Sequence, residues 1–466
     1  MNKLAILFVI LIGLVAGAFL FPERLGTEGL ADLKPPTATI KRNKDALFIT
    51  VSDELSGPSK ITLQVSQNGN VIQTQDLLTE YRNNNTEYFN IQIQSFQGKA
   101  KEGPVDFTIS AVDNSLWANT NSASTNITLD FTRPQLALHS IQHRMYAGGA
   151  ELILFDAKDN VELQSVYLDV DEDLRFFPIR LAEADKRFAS RPDLHAILFA
   201  TPRGFPKEKF APKITATDTS GNSISLPIRI TFVEQPLIKS NPNISEDFVN
   251  TKIPPLLDEM KNLGLTDPSA EYFREEQFKL VNETYRNDLG FKLRELFRKQ
   301  GVRPIIPEGP FTRPMAGTLT SKFGEARSYS YKGSEISHST HDGQDIASVK
   351  GDKVMATAAG QVILAQQSFG IYGGAVVIDH GFGIGSLYGH LSNIVVEEGQ
   401  QLTKGEILGN SGETGLAGGD HLHFEIRIQN VPVTPIEWWD NKWYQDNILL
   451  KLNDPELLPQ SEEVAQ

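Results

Sequence analysis

The chain of 466 residues contains no cysteine. Disulfide bonds and thiolate ligands are therefore excluded, and a bound metal would have to be held by His, Asp or Glu side chains. An excess of basic charge is also missing, because 44 Lys and Arg stand against 58 Asp and Glu and the formal net charge is -14. Nucleic-acid binding relies on clustered basic residues that meet the phosphate backbone, so we expect no nucleic-acid partner.

Charged residues are absent from a long stretch near the N-terminus. Lys3 precedes an uncharged run from Leu4 to Phe21, and its 21 - 4 + 1 = 18 residues are about the minimum for a membrane-spanning helix. The run predicts export, with residues 1–24 retained as a signal anchor and the later residues on the far side of the membrane. The small residues Ala16-Gly17-Ala18 leave a cleaved signal peptide as the alternative.

Short strands and turns dominate the first half of the chain. Residues 37–233 show short apolar strands punctuated by turn residues, with little helical periodicity. This pattern is typical of β-sandwich modules. We expect two modules of immunoglobulin-like size, residues 33–134 and 135–236, which serve as spacers or bind a protein partner.

An internal repeat supports these two modules. The segment LFITVSD, which ends at Asp53, matches LILFDAKD, which ends at Asp159, and the AVD that ends at Asp113 matches the ATD that ends at Asp218. The offsets are 159 - 53 = 106 and 218 - 113 = 105 residues. Because two separate matches agree to within one residue, the pattern indicates a duplication.

A helical segment follows the modules. We expect residues 241–303 to form a helical connector, with one helix opening at Pro254-Pro255 and a longer one opening at Asp267 as its N-cap. One apolar helical face is predicted by residues that recur every three or four positions: Phe278, Val281, Tyr285, Leu289, Leu293 and Leu296. This apolar stripe needs a partner surface, either elsewhere in this chain or on another protein.

The C-terminal part is rich in glycine and β-branched residues. It predicts an all-β domain at residues 311–441, followed by an acidic, disordered tail at residues 455–466. The predicted fold class is therefore mainly β, with an N-terminal membrane helix, two sandwich modules, a helical connector and this last domain.

Histidines concentrate in the C-terminal domain. Six of the nine lie within 423 - 338 + 1 = 86 residues: His338, His341, His380, His390, His421 and His423. In a chain without cysteine, such a cluster with a nearby aspartate indicates a metal site with nitrogen and oxygen ligands.

Two motifs can bring such ligands together. In HLHFEI, the two-residue period of a strand places His421, His423 and Glu425 on one face, although such a pair of histidines also arises by chance. In HDGQD, His341 and Asp345 can turn toward one ion from a loop that enters a strand. Three protein ligands would leave a fourth position for water, which is the arrangement of a catalytic zinc site.

These motifs resemble those of the lysostaphin/LytM family of zinc peptidases, which cut peptidoglycan peptides. The resemblance runs from about Pro314 to Trp439 and rests on four motifs in order: SKFG at 321–324, HxGxD at 341–345, YGHL at 388–391 and GLAGGDHLHFE at 415–425. It implies a zinc-dependent endopeptidase that hydrolyses the stem or cross-bridge of peptidoglycan. It also implies Zn2+ as cofactor. Together with Lys3 and the uncharged N-terminal run, it leads us to expect a single-pass inner-membrane protein with its catalytic domain in the periplasm, or a periplasmic protein if the signal is cleaved.

The resemblance also assigns roles to individual residues. The implied zinc ligands are His341, Asp345 and His423, and the implied catalytic residues are His390 and His421. Neutral imidazoles at the two catalytic positions can take a proton from water and return it to the leaving amine. Glu425 is not a ligand in the family pattern and is expected to support the ligands or the strand.

The remaining histidines receive other interpretations. We expect His380 to be a turn or strand-end residue. His338 is expected to contribute to loop structure, to hydrogen-bond near the metal or to line the substrate groove.

Two other functions are weighed against the enzyme. Members of the family that have lost zinc ligands act as non-enzymatic activators of other cell-wall hydrolases, whereas the complete ligand set of this chain favours catalysis. Residues 395–409 resemble the hairpins of biotinyl and lipoyl carrier domains, but a carrier domain would not explain the clustered histidines.

Overall fold

The structure is a computed structural model that describes residues 32–458 except 44–45, 79–84, 140–142 and 268. The chain divides into two compact units. The first contains the described residues up to Pro134 together with Asp159–Ser165 and Thr217–Ile224, and the second contains the rest. Within the described ranges, no helix is long and apolar enough to cross a membrane. The predicted signal anchor at residues 1–24 lies outside the described residues.

The strands up to Pro134 form two antiparallel sheets around one core. Their bounds are β1 Thr37–Asn43, β2 Ala46–Ser52, β3 Pro58–Gln67, β4 Asn70–Asp76, β5 Thr86–Gln92, β6 Gly103–Asp113 and β7 Thr120–Leu129. One sheet has the order β1-β2-β5 and the other β4-β3-β6-β7. Alternation explains the packing, since Leu47, Ile49 and Val51 are buried in a core shared with β3, β6 and β7 while Phe48 is exposed.

The next part of the chain is also built of short strands. Their bounds are β8 Gln135–Leu138, β9 Arg144–Tyr146, β10 Ala150–Lys158, β11 Leu163–Asp169, β12 Arg175–Phe176, β13 Ile179–Arg180, β14 Leu194–Ala200, β15 Lys213–Asp218, β16 Ser223–Pro227 and β17 Thr231–Val233, with helix α1 at Leu181–Ala184. The sheets have the orders β13-β14-β10-β8 and β12-β11-β15-β16, and β9 pairs with β17. The mainly β class is confirmed, whereas the immunoglobulin-like assignment and the domain bounds stay predictions.

The helices after β17 begin at other residues than predicted. They are α2 Glu246–Asn262, α3 Arg274–Lys279, a π-helical stretch Leu280–Tyr285 and α4 Arg286–Gln300. Helix α2 begins well before Pro254-Pro255, because the Ser245 side chain accepts a hydrogen bond from the Phe248 N–H and caps the helix there. Asp267 caps no helix; its carboxylate accepts from the Ser269 backbone and side chain in a local turn.

The apolar stripe is buried within this chain. Phe278, Val281, Tyr285, Leu289 and Leu293 are buried in one core with residues of α2 and of the C-terminal strands, and Leu296 packs against it. The partner surface is therefore intramolecular. The helices share a hydrophobic core with the domain that carries the histidines.

The C-terminal domain is organised by one large sheet. The strand bounds are β18 Ile238–Ser240, β19 Asn243–Ile244, β20 Thr318–Ser321, β21 Glu325–Tyr331, β22 Ser334–Thr340, β23 Gln344–Ala347, β24 Lys353–Met355, β25 Gly360–Gln366, β26 Gly374–Gly381, β27 Ile384–Leu391, β28 Asn393–Ile394, β29 Gln401–Leu402, β30 Ile407–Asn410, β31 Leu422–Ile428 and β32 Val431–Val433. The large sheet has the order β20-β23-β31-β27-β26-β25-β29, with β32 beside β31.

Short helices close the described chain. They are α5 Pro435–Trp439, α6 Asn441–Tyr444, a π-helical stretch Gln445–Leu449 and α7 Leu450–Leu452. Leu457 is buried after a turn that begins at Asp454. The predicted disordered tail therefore does not begin at residue 455, and residues 459–466 lie outside the described part.

Candidate metal centre

Strand register brings together motifs that are far apart in sequence. In the large sheet β31 lies between β23 and β27, and His423 is paired with Asp345 on one side and with Gly389 on the other. Directly paired residues of an antiparallel sheet have Cβ atoms about 4.5–5.5 Å apart. His390, which follows Gly389, has a φ of 63° instead of the regular strand conformation, and its ring centroid lies 5.9 Å from that of His423.

Three candidate ligand atoms form a compact triangle. His341 Nε2 lies 3.0 Å from Asp345 Oδ1 and 3.0 Å from His423 Nδ1, and His423 Nδ1 lies 2.9 Å from Asp345 Oδ1. All three residues are buried. The structure thus places the predicted ligand set on a common centre.

Hydrogen bonds on the outer side fix the ring orientations. His341 Nδ1 lies 3.0 Å from the Lys322 carbonyl oxygen, and His423 Nε2 lies 2.8 Å from Glu425 Oε1. A ring nitrogen that donates to oxygen carries the proton, so the opposite nitrogen keeps its lone pair. His341 therefore offers Nε2 to the centre, and His423 offers Nδ1.

The donor set and the space around it fit zinc. Two imidazole nitrogens and one carboxylate oxygen are the ligand types of catalytic zinc sites, which use three protein ligands. Gly343 shows how tightly the motif closes, because a Cβ at this residue would lie 2.7 Å from His423 Cε1 and 2.6 Å from the Phe424 carbonyl oxygen. A larger residue would displace a candidate ligand.

Glu425 supports His423 from behind and is held in place itself. Its carboxylate is fully buried, lies 2.5 Å from Arg427 Nε and accepts a hydrogen bond from the Tyr372 hydroxyl at 3.2 Å. Burial alone would raise the pKa of Glu425, but Arg427 and His423 hold it below its ordinary value. The charged carboxylate fixes the tautomer of His423.

His390 and His421 lie beside the triangle, and in both rings Nδ1 faces a backbone carbonyl oxygen. His390 Nδ1 lies 2.8 Å from the Thr414 carbonyl oxygen, and His421 Nδ1 lies 2.8 Å from that of Gly419. The two ring centroids are 4.7 Å apart. Burial lowers the pKa of His390 well below its ordinary value, and the neighbouring histidines add to this effect. Its Nε2 is thus kept as an unprotonated acceptor.

Residues 339–435 match the model of Peptidase family M23. The chain contains an M23 peptidase domain. This match confirms the resemblance to lysostaphin/LytM-type peptidases. The candidate ligands and both candidate catalytic histidines lie inside the matched residues, and their individual roles stay predictions.

Relatives of the chain share the M23 domain but only part of their length. The lipoprotein NlpD/LppB homolog of Pseudomonas aeruginosa is 33% identical over 141 residues, which are 30% of this chain and 43% of that protein. The DD-carboxypeptidase/endopeptidase Mpg of Neisseria meningitidis is 44% identical over 96 residues, 21% of this chain and 22% of that protein. The peptidoglycan DD-endopeptidase ShyA of Vibrio cholerae is 36% identical over 97 residues, again 21% and 22%. The chain spans less than half the length of each of these relatives.

A cleft of about 650 Å³ opens over the centre of the M23 domain. Its floor includes His341, Asp345, His390, His421 and His423. Residues 240–245 and Phe248, which lie before and at the start of α2, form part of its wall. A segment outside the matched M23 residues therefore borders the cleft.

Arg327 is a cleft residue that the sequence did not single out. Its Nη2 lies 3.5 Å from Asp345 Oδ2 and 2.6 Å from Ser321 Oγ. Arg327 and Tyr329 line the same cleft from alternate positions of β21. The alternation of Arg327 and Tyr329 along a strand could have indicated from the sequence that both face one cleft. Residues 325–337, however, depart from the recognisable family motifs.

The other two of the six clustered histidines, His338 and His380, lie apart from the centre. His380 is buried, with Nδ1 2.7 Å from the Ala359 carbonyl oxygen and Nε2 2.7 Å from Ser386 Oγ. His338 is exposed and lies 3.2 Å from Glu335. Neither side chain is among the residues that line the cleft over the centre.

Proposed function

We propose that this chain is a zinc-dependent endopeptidase that hydrolyses peptide bonds in the stem or cross-bridge of peptidoglycan. The observation that carries the proposal is the triangle of His341, Asp345 and His423 atoms beside His390 and His421. The names of the relatives, a DD-carboxypeptidase/endopeptidase and a peptidoglycan DD-endopeptidase, support the substrate class.

Different residues of the M23 domain would have different roles in the reaction. When bound, zinc would polarise the scissile carbonyl and lower the pKa of water. His390 and His421 each use Nδ1 toward a backbone carbonyl, so each can accept a proton at Nε2 from the attacking water and return it to the leaving amine. Glu425 and the Lys322 carbonyl keep the ligand imidazoles in the required tautomers.

The alternative of a non-enzymatic activator is not favoured. An activator needs a surface rather than a complete centre, yet the whole candidate ligand set and both candidate catalytic histidines converge in one cleft. The burial of the ligand atoms supports a bound metal and not a solvated polar surface.

The proposed location is the inner membrane with the M23 domain in the periplasm. Lys3 and the 18 uncharged residues from Leu4 to Phe21 support a single anchor. Peptidoglycan as substrate supports the periplasmic side. The strand-rich region before α2 is proposed to serve as a spacer or to bind a protein partner.

The function is tested with purified full chain and purified peptidoglycan. Mass analysis of the released muropeptides should show new amino termini with intact glycan, activity should be lost on chelation, and zinc should restore it. The His341→Ala chain is the inactive control. New reducing sugar ends without new amino termini would contradict a peptidase, and no release by the zinc-loaded chain would favour the activator.

A further inference from the structure

The duplicated segments end in two clusters of aspartates. Asp53 and Asp113 lie with Asp32, and the equivalent Asp159 and Asp218 lie with Asp130; in each cluster one carboxylate oxygen per residue lies within 4.8 Å of the other two. Both clusters belong to the first compact unit. An acidic cluster alone is common on protein surfaces, so the hydrogen bonding of each carboxylate decides whether a ligand is needed.

The carboxylates of the first cluster accept hydrogen bonds from their own loops. Asp53 Oδ1 accepts from the N–H groups of Ser56 and Gly57, both at 2.8 Å. Asp113 accepts from the Asn119 backbone at 2.9 Å and from the Asn119 side chain at 2.8 Å. Among the described residues, no buried oxygen of this cluster lacks a partner.

The second cluster contains unpartnered oxygens. Asp130 is 1% exposed, and its Oδ1 accepts from Thr132 and Asn160, whereas its Oδ2 is buried without a partner in the described part of the chain. Asp159 shows the same division, with Oδ2 bonded to the Val161 N–H and Oδ1 buried and unpartnered. A desolvated carboxylate oxygen without a partner is unfavourable, so these two atoms point to a missing positive ligand.

The negative charges of the second cluster also indicate that a positive ligand is missing. Burial raises the pKa of Asp159, and the charges of Asp130 and Asp218 raise it further. Asp218 is fully buried, and both of its oxygens accept from Asn222, which also donates from its side chain to the Asp130 carbonyl oxygen. The loops thus hold three mutually repelling carboxylates together.

We propose that Asp130, Asp159 and Asp218 bind a divalent cation of the calcium class. Carboxylate oxygens alone favour a hard cation, and calcium tolerates the irregular geometry of ligands drawn from separate loops. The ion would neutralise the cluster and tie together three chain segments, those that carry Asp130, Asp159 and Asp218. This site is separate in residues and in ligand chemistry from the candidate zinc centre.

Equilibrium dialysis of the full chain with radioactive Ca2+ tests the proposal. Zinc is kept saturating so that the M23 centre does not take up calcium. The wild-type chain should bind one Ca2+ saturably. Asp159→Asn keeps the size of the side chain but removes a charge. Losing a residue that only supports a metal ligand already costs at least about tenfold in metal affinity, so this variant should bind Ca2+ at least about tenfold more weakly.

Asp53→Asn is the matched control because Asp53 holds the equivalent repeat position but has partners for its buried oxygen. It should bind Ca2+ like wild type. No saturable binding by wild type, unchanged binding by Asp159→Asn, or equal loss in both variants would overturn the proposal. Thermal unfolding gives a second readout: Ca2+ should raise the Tm of the wild-type chain, and an unchanged Tm would also overturn it. Peptidase activity reports on the other site, so a failure of the proposed function is seen separately.

Discussion

The two candidate imidazole ligands present different nitrogens to the centre. His341 uses Nε2 because its Nδ1 faces the Lys322 carbonyl, and His423 uses Nδ1 because its Nε2 faces Glu425. Removing the partner of His423 should therefore act on metal binding without removing a ligand.

Glu425→Ala should lower zinc affinity by about 10–100-fold, the usual cost of losing a group that orients a ligand. Glu425→Gln retains an acceptor oxygen and should lose less. Zinc titration against a competing chelator measures both variants, with His338→Ala as the unaffected control. Equal affinity of wild type and Glu425→Ala would show that Glu425 serves only the strand.

Ala substitutions at the five site residues should have two different effects. Ala at His341, Asp345 or His423 removes a ligand, so zinc and activity should be lost together. Ala at His390 or His421 leaves the ligands, so zinc should stay while activity falls roughly 10²–10⁴-fold.

Zinc analysis beside a cleavage assay on folded variants measures this separation. His338→Ala should keep zinc and most activity, since this side chain is exposed. Zinc loss from His421→Ala with zinc retained in His423→Ala would reverse the assignment of the pair.

Glu437 predicts a pH dependence of stability. Burial raises its pKa from 4.5 to about 8, and its Oε2 has no partner among the described residues. The folded chain holds a proton that the unfolded chain releases, so the free energy of unfolding should fall as pH rises from 4.5 to about 8. Glu437→Gln mimics the protonated form, and its Tm should exceed that of wild type at pH above 8 but match it at pH below 4.5. A Tm difference that is the same at both pH values would contradict this assignment.

At the scale of elements, helix α2 joins the M23 core and borders the cleft. Val249, Ile253 and Met260 are buried with the C-terminal strands, so deletion of the helices would expose the core instead of only opening the cleft. Phe248 at the cleft wall is the residue that can be changed with less damage.

Phe248→Ala should widen the cleft and raise activity on soluble peptides if the segment limits access. Initial rates at low substrate concentration measure the effect. Phe273→Ala is the matched control, because Phe273 is 79% exposed and is not among the residues that line the cleft. Unchanged rates in Phe248→Ala would mean that residues 240–248 form a wall without limiting access.

At the scale of the whole molecule, the N-terminal run predicts where the chain is found. The full chain should sediment with membranes and be released by detergent, whereas a chain lacking residues 1–24 should be soluble. Fractionation with N-terminal sequencing measures this. A mature soluble protein that begins near Phe19 would overturn the anchor and leave export intact.

Periodic and local patterns made parts of this protein predictable from sequence. The apolar stripe from Phe278 to Leu293 lies at helical spacing, and it is buried as expected. The helix starts were wrong, because the Ser245 cap overrides Pro254-Pro255 and Asp267 bonds its own turn. Local helix signals are weak because tertiary packing overrides them, and the turns before Pro254-Pro255 bury Val249 and Ile253.

The sequence by itself determined the candidate donor set, since without cysteine only His, Asp and Glu can hold a transition metal and the HxGxD and HxH motifs supply them. Tertiary structure decided which ring nitrogen of His341 faces the centre, because the Lys322 carbonyl oxygen approaches its Nδ1 from 19 residues upstream. It also decided that Arg327 and Phe248 border the cleft and that two oxygens of the second aspartate cluster lack partners. Such contacts depend on strand register and packing between distant segments, which local sequence spacing does not encode.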